Sequence, residues 1–155
     1  MKPDDGYIKY IANPKSGAMS GKLVWIRFEK YLIKQGFDVR INLTKSLSHA
    51  CELAAEAAGD PDCSMAVAIG GDGTIREVTH GLEGSSTPLL ILPGGTENLL
   101  ANELGFDGKL ESIIKTFNAC YIRPLDLGNI NGRCFTSIAG FGYDGEVVHR
   151  MNEQR

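Results

Sequence analysis

The chain has 155 residues, with 16 Lys+Arg against 19 Asp+Glu and a formal charge of -3. That mild acidity argues against a nucleic-acid partner, which calls for a basic patch, and a hydrophobic share of 43% excludes a disordered chain. Glycine is in excess, 19 of 155, without the three-residue period of collagen, so it serves turns or close backbone approach.

Tyr7–Ala12 reads as a β-strand, broken by Asn13-Pro14-Lys15-Ser16-Gly17. Lys22–Gln35 has helical spacing, with Val24, Phe28, Tyr31 and Leu32 on one face and Gly36 as its stop. Phe37–Leu43 alternates as a strand, with Phe37, Val39, Ile41 and Leu43 pointing one way. Ser48 is placed to cap a helix through Ala50, Leu53, Ala54 and Ala57 to Gly59. Met65–Ile69 is a continuous apolar run, the pattern of a strand covered on both faces of a parallel sheet. Thr74–Leu82 predicts a helix, Pro88–Leu92 another buried strand, Thr96–Leu104 a helix stopped by Gly105, and Leu110–Phe117 a further helix.

These β-loop-α units predict an α/β fold with an open, three-layer parallel sheet. Ligands of such sheets sit outside the carboxyl ends of the strands. Beyond Tyr121 the texture changes: Asn131-Gly132 is a two-residue hairpin turn, with Cys134–Ile138 as the return strand. Residues 1–122 are therefore expected to form one α/β domain and 123–155 the start of an incomplete all-β domain. Met1–Gly6 carries no apolar core of a signal peptide, and no uncharged apolar run approaches the ~18 residues of a membrane span. Cys51, Cys63, Cys120 and Cys134 include no C-x-x-C pair and the three histidines are scattered, so reduced, mostly buried thiols in a cytoplasmic protein are expected.

The strongest chemical signal is Gly70-Gly71-Asp72-Gly73-Thr74, directly after an apolar strand. Glycines bring backbone N–H groups within reach of phosphate oxygens, and Thr74 stands where it can cap a helix whose start favours anions. Asp72 repels phosphate, so it makes chemical sense acting through Mg²⁺ or taking a proton from an attacking hydroxyl. Pro93-Gly94-Gly95-Thr96-Glu97-Asn98 repeats the layout after the next strand, and Asn13–Gly17 supplies a third loop with Lys15 and Ser16. Thr44 faces the same side. Taken singly, each loop is also what a capped strand-to-helix turn looks like; the three together point to a phosphate-bearing ligand. Gly21-Lys22 fails as a Walker loop, because Leu23 stands where a Ser or Thr is needed. Gly140-Phe141-Gly142-Tyr143-Asp144-Gly145 fits G-x-G-x-x-G in letters but leaves no room for a βαβ unit.

These loops, in this order and with Asp126-Leu127-Gly128 and Gly140–Asp144 after them, resemble the catalytic domain of the diacylglycerol kinase, sphingosine kinase and bacterial lipid kinase family. The resemblance implies a fold like that of NAD kinases and phosphofructokinases, an α/β nucleotide domain followed by a β-sandwich. It implies ATP as phosphoryl donor, Mg²⁺, a diacylglycerol or sphingoid-type lipid alcohol as acceptor, and transient contact with a membrane surface. It assigns Asn13, Pro14, Lys15, Ser16, Gly17, Thr44, Gly70, Gly71, Asp72, Gly73, Thr74 and Thr96 to ATP. Asp72 becomes the central acid, Asp126 a water-mediated Mg²⁺ support, and Asp144 a contact to the acceptor head group. Leu99 stands where the family often has Asp and Arg76 where Asn is frequent, and the β-sandwich is cut short. Two other readings stay open: an NAD kinase, which shares the G-G-D-G-T loop, and a nucleotide-binding module without turnover.

Overall fold

The computed structural model describes residues 6–16 and 19–153, leaving aside the side chains of 19–22, 144, 148, 149, 152 and 153. The elements in chain order are β1 (Tyr7–Ala12), α1 (Met19–Lys34), β2 (Asp38–Leu43), α2 (Leu47–Gly59), β3 (Cys63–Gly70), α3 (Asp72–Gly81), β4 (Leu89–Pro93), α4 (Leu99–Glu103), α5 (Leu110–Ala119), β5 (Gly128–Ile130), β6 (Arg133–Phe135) and α6 (Tyr143–Glu153). Four strands form a parallel sheet in the order β2-β1-β3-β4, and β5 and β6 form a separate antiparallel pair.

The expected three layers are present. Alternate residues of the central strands feed two cores. Tyr7 and Ile11 of β1 and Ala66 and Ala68 of β3 pack with Leu53, Ala54 and Ala57 of α2 and Ile75 and Val78 of α3. Ile8 and Tyr10 of β1 and Val67 and Ile69 of β3 pack on the opposite face with Phe28 and Leu32 of α1 and Ile113 and Phe117 of α5. Burial on both faces is why β3 and β4 read as continuous apolar runs. Phe117 meets Phe28 and Phe37 edge to face, with ring centroids 5.7 and 5.3 Å apart, and these contacts lock α5 against α1.

Several boundaries differ from the sequence reading. β2 is an edge strand, and only Phe37 and Val39 reach the core; Ile41 and Leu43 are 40% and 53% exposed. The cap of α2 is Ser46, whose Oγ accepts the His49 N–H at 3.1 Å, rather than Ser48. α4 begins three residues later than predicted, at Leu99, because Asn98 takes a left-handed φ of 52°. The hairpin turn is as expected, with Asn131 and Gly132 at φ of 51° and 77°, but the return strand stops at Phe135. Residues 143–153 are helical, with Gly142 (φ 63°) before the first turn and an Arg150–Glu146 pair on its surface. No strand leads into Gly140–Gly145, which removes the dinucleotide reading of that segment. Cys63 and Cys134 are buried, Cys51 is partly covered and Cys120 is exposed, so two of the four thiols meet the expectation of burial.

Lys9 projects from β1 into the α2 layer, 5% exposed, where its Nζ donates to Glu56 Oε2 at 2.8 Å. That bond holds the Glu56 carboxyl below the usual carboxylate range. The folded state then binds fewer protons here than the unfolded chain. The stabilisation is complete above the ordinary glutamate pKa of about 4.3 and is lost as pH falls through the lowered folded value. Glu56→Gln is expected to lower stability modestly at neutral pH and to narrow the gap between urea midpoints at neutral pH and at about pH 3.5. An unchanged gap would remove Glu56 from the acid response.

Candidate functional site

From β1 the chain steps outward to β2, then returns past β1 to β3 and on to β4, so the winding reverses between β1 and β3. The crevice above the carboxyl ends of those two strands is where open α/β sheets take ligands. Main-chain bonds extend the ladder past the strands. Thr44 N–H donates to Ala12 O at 2.9 Å, Asn13 N–H to Ile69 O at 2.9 Å, and Gly94 N–H to Gly70 O at 2.8 Å. Thr44, Asn13, Gly70 and Gly94 thus stand in one row along the edge.

The first loop folds on Asn13. Its Oδ1 accepts the Lys15 N–H at 2.9 Å, and its carbonyl accepts Ser16 N–H at 3.2 Å and Ser16 Oγ–H at 2.9 Å. Its Nδ2 donates to Thr74 Oγ1 at 3.3 Å, tying this loop to α3. Pro14 and Lys15 are exposed, Ser16 is half-buried and Thr44 is buried. Gly17 lies outside the described residues.

Thr74 does not cap α3. It is buried in the first turn, against Gly70, where any Cβ would run into its side chain. The helix starts two residues earlier than predicted, at Asp72, with Gly71 as N-cap and no side-chain cap bond. The N–H groups of that first turn have no partner within the helix, and the positive end of its dipole opens on the crevice.

The two glycine loops lie backbone on backbone. A Cβ on Gly71 would sit 3.1 Å from the Gly95 Cα, and one on Gly94 would sit 3.4 Å from the Gly70 Cα. The half-buried Asp72 carboxylate bridges them: Oδ2 accepts Asn98 N–H at 3.0 Å and Oδ1 accepts Leu99 N–H at 2.6 Å. Asp72 therefore caps α4, the helix after the other loop. Asn98 closes its own loop, accepting Gly95 N–H at 2.7 Å and donating Nδ2–H to Gly95 O at 2.9 Å. The Gly94 and Gly95 N–H groups are both engaged, whereas the first-turn N–H groups of α3 remain to meet an anion. Thr96 is exposed in that loop, outside α4.

Sequence reasoning missed Asn98, although asparagine is among the few residues that tolerate a left-handed backbone. It also missed a largely apolar cleft of about 190 Å³ beside the row of loops, lined by Asn13, Ser16, Val24, Trp25, Leu92 and Gly94 among others. Val24 reads from the sequence as part of the apolar face of a helix, and Trp25 is not singled out there.

Asp126 is exposed in the segment between α5 and β5. Asp144 falls in the first turn of α6, and its side chain lies outside the described ones. Among the described residues no three His, Cys, Asp or Glu side chains converge as a metal cage. Mg²⁺ in phosphoryl-transfer sites uses only one or two carboxylates plus phosphate oxygens and water. Each Asp72 oxygen accepts one N–H and keeps a lone pair. The residues therefore fit a phosphate-held Mg²⁺ and an anion at the start of α3.

Three comparisons bear on this geometry. The model of the diacylglycerol kinase catalytic domain matches residues 8–130. A diacylglycerol kinase of Bacillus subtilis (strain 168) is 34% identical over 146 residues, 91% of this chain and 47% of that protein. A protein of Pseudomonas syringae pv. syringae named "Probable lipid kinase YegS-like" is 31% identical over 122 residues, 77% of this chain and 39% of its own length. The chain thus spans less than half the length of these curated relatives. A crystal structure of a diacylglycerol kinase from Bacillus anthracis str. Sterne superposes with a TM-score of 0.68 at 27% identity, covering 83% of this chain and 47% of that one. Sheet order, loop row and sequence match agree: the chain belongs to the diacylglycerol kinase catalytic domain family.

Proposed function

We propose that this chain carries the ATP-binding part of a lipid kinase that transfers the γ-phosphoryl group of ATP to a hydroxyl of a diacylglycerol- or sphingoid-type lipid. The observation that carries this reading is the row of loops at the reversal point of the sheet, with Asp72 between the two glycine loops. In this reading residues 1–122 form the nucleotide unit and 123–155 open a second unit, in which the hairpin β5–β6 is followed by the helix α6 rather than by further strands. ATP brings the phosphoryl group, with Mg²⁺ offsetting its charge.

The protein's own part is positioning and electrostatics, which carry most of phosphoryl transfer. Asn13, Ser16 and Thr44 hold one flank of the nucleotide. The first turn of α3, from Gly71 to Thr74, faces the phosphates, and Lys15 and Thr96 reach in from the exposed loops. Asp72 orients the acceptor hydroxyl, takes its proton or holds the metal. Asp126 supports Mg²⁺ through water, and Asp144 meets the lipid head group. No helix among the described residues is long and apolar enough to cross a membrane, and contact with the bilayer that holds the acceptor is read as transient, from the cytoplasmic side.

The test combines calorimetric titration of ATP–Mg²⁺ with transfer of labelled phosphate to dispersed diacylglycerol and sphingosine, with NAD as a third acceptor. The expected result is saturable ATP–Mg²⁺ binding by this chain and lipid phosphorylation by the full-length gene product. Transfer to NAD alone would replace the reading with an NAD kinase. Binding with no transfer from the full-length product would leave a nucleotide-binding module.

A further inference from the structure

A second cavity lies outside the crevice. It occupies about 280 Å³ between α3 and the β5–β6 hairpin and is lined by Arg76, Glu77, His80, Gly132, Arg133 and Cys134. Arg76 and His80 are four residues apart on α3, so they share a helix face, and Arg76 is itself one turn beyond Asp72. Arg133 enters from the other side, on the first residue of β6. Gly132, at φ 77°, lets the hairpin turn tightly enough to present it.

Hydrogen-bonding capacity is left over here. Arg76 gives Nε–H and one Nη2–H to Glu77 Oε1, at 3.1 and 2.7 Å. That leaves three of its five donors, and the bond to Glu77 fixes the plane of the guanidinium. His80 Nδ1 lies 3.3 Å from Glu83 Oε2 without hydrogen-bond geometry and is buried with no hydrogen-bond partner among the described residues. Arg133 is exposed at the mouth. Two guanidiniums and an imidazole from two elements therefore face one polar cavity, with the Glu77 carboxylate in its lining and Glu83 3.3 Å from the imidazole. Planar guanidinium forks are the groups that recognise phosphate in two-point fashion.

We propose that this cavity binds a phosphate-bearing anion, at a site separate from the nucleotide crevice. A phosphomonoester lipid head group and free orthophosphate share the chemistry the two arginines recognise. The site joins α3, which carries Asp72 at its start, to the hairpin, so an anion held there ties the hairpin to the helix that organises the crevice.

The experiment titrates the chain with orthophosphate and, separately, with short-chain phosphatidate below its micelle concentration, following amide chemical shifts. Saturable shifts of Arg76, His80 and the Gly132–Cys134 amides are expected. Arg133→Gln, a change at an exposed position, should weaken binding about tenfold or more. Glu77→Gln, which removes the carboxylate in the lining, should strengthen it. A repeat with ATP–Mg²⁺ present separates the two sites, since occupancy of the crevice should leave the anion titration in place. Response to phosphatidate alone assigns the site to a lipid head group, and response to both assigns it to the phosphate moiety. No saturable shift with either anion, or equal affinity in wild type, Arg133→Gln and Glu77→Gln, would overturn the proposal, whatever the outcome of the kinase assays.

Discussion

Asp72→Asn is expected to cut phosphoryl transfer by the full-length gene product by about 10²–10⁴-fold, the usual cost of removing a positioned acid or base, while lowering stability by only about 1 kcal/mol. The two effects separate because the proposed reading gives the carboxylate a second duty beside the one its hydrogen bonds show. Its oxygens receive the Asn98 and Leu99 N–H groups at the start of α4. Asparagine keeps one acceptor and loses the charge, so part of the cap survives. Asp72→Ala removes the whole cap and should cost about 2 kcal/mol, within the range for lost caps and charge-assisted bonds. Because α4 has only five residues, that loss should appear first as faster amide exchange at Asn98–Asn102. Urea midpoints and transfer rates on the same three proteins decide the matter. A turnover loss that tracks the folded fraction would reduce Asp72 to a structural cap, and full activity in Asp72→Asn would remove it from the reaction.

Gly81→Ala should be strongly destabilising. Gly81 ends α3 where that helix crosses α2. A Cβ there would overlap the Cys51 carbonyl and lie 2.7 Å from the Ala54 Cβ and 3.0 Å from the Ala55 nitrogen. Two of those three neighbours are backbone of α2, which cannot step aside as a side chain would. A loss of about 3 kcal/mol is expected, at the upper end for overpacking, and a fall in melting temperature of roughly 6–12 °C for a domain of this size. Gly59→Ala is the control. Gly59 ends α2 with nothing within 4 Å of its would-be Cβ, so the same methyl there should be neutral or slightly stabilising. Equal melting points for the two variants would refute the close-packing account.

Local patterns were legible where packing obeys them. β3 and β4 announced themselves as apolar runs because helices cover both faces, and Gly36, Gly105 and Asn131-Gly132 marked turns because the backbone is left-handed there. What sequence could not give was anything decided across distance. Ser46 rather than Ser48 caps α2 because of where β2 ends and releases the chain. Asp72 caps a helix 26 and 27 residues away, which no local window can register, and this long reach also sets where α4 begins. Ile41 and Leu43 alternate as core residues should, yet they sit on the outermost strand, beyond the cover of α1. The candidate site was found as a set of loops; that the Gly94 and Gly95 N–H groups are engaged while the first turn of α3 is open came only from the hydrogen bonds.

The contact between Gly71 and Gly95 bears on how such loops should be interpreted in related chains. Side-chain volume at these two positions is a shared quantity whose total is fixed near zero by the approach of one main chain to the other. Glycine would be retained there by folding alone, with no nucleotide to select for it. A pair of glycines at the ends of neighbouring parallel strands is thus evidence first of two loops that touch, and the functional weight in this chain shifts to the residues that glycine packing does not explain: Asp72, Asn98 and the open first turn of α3.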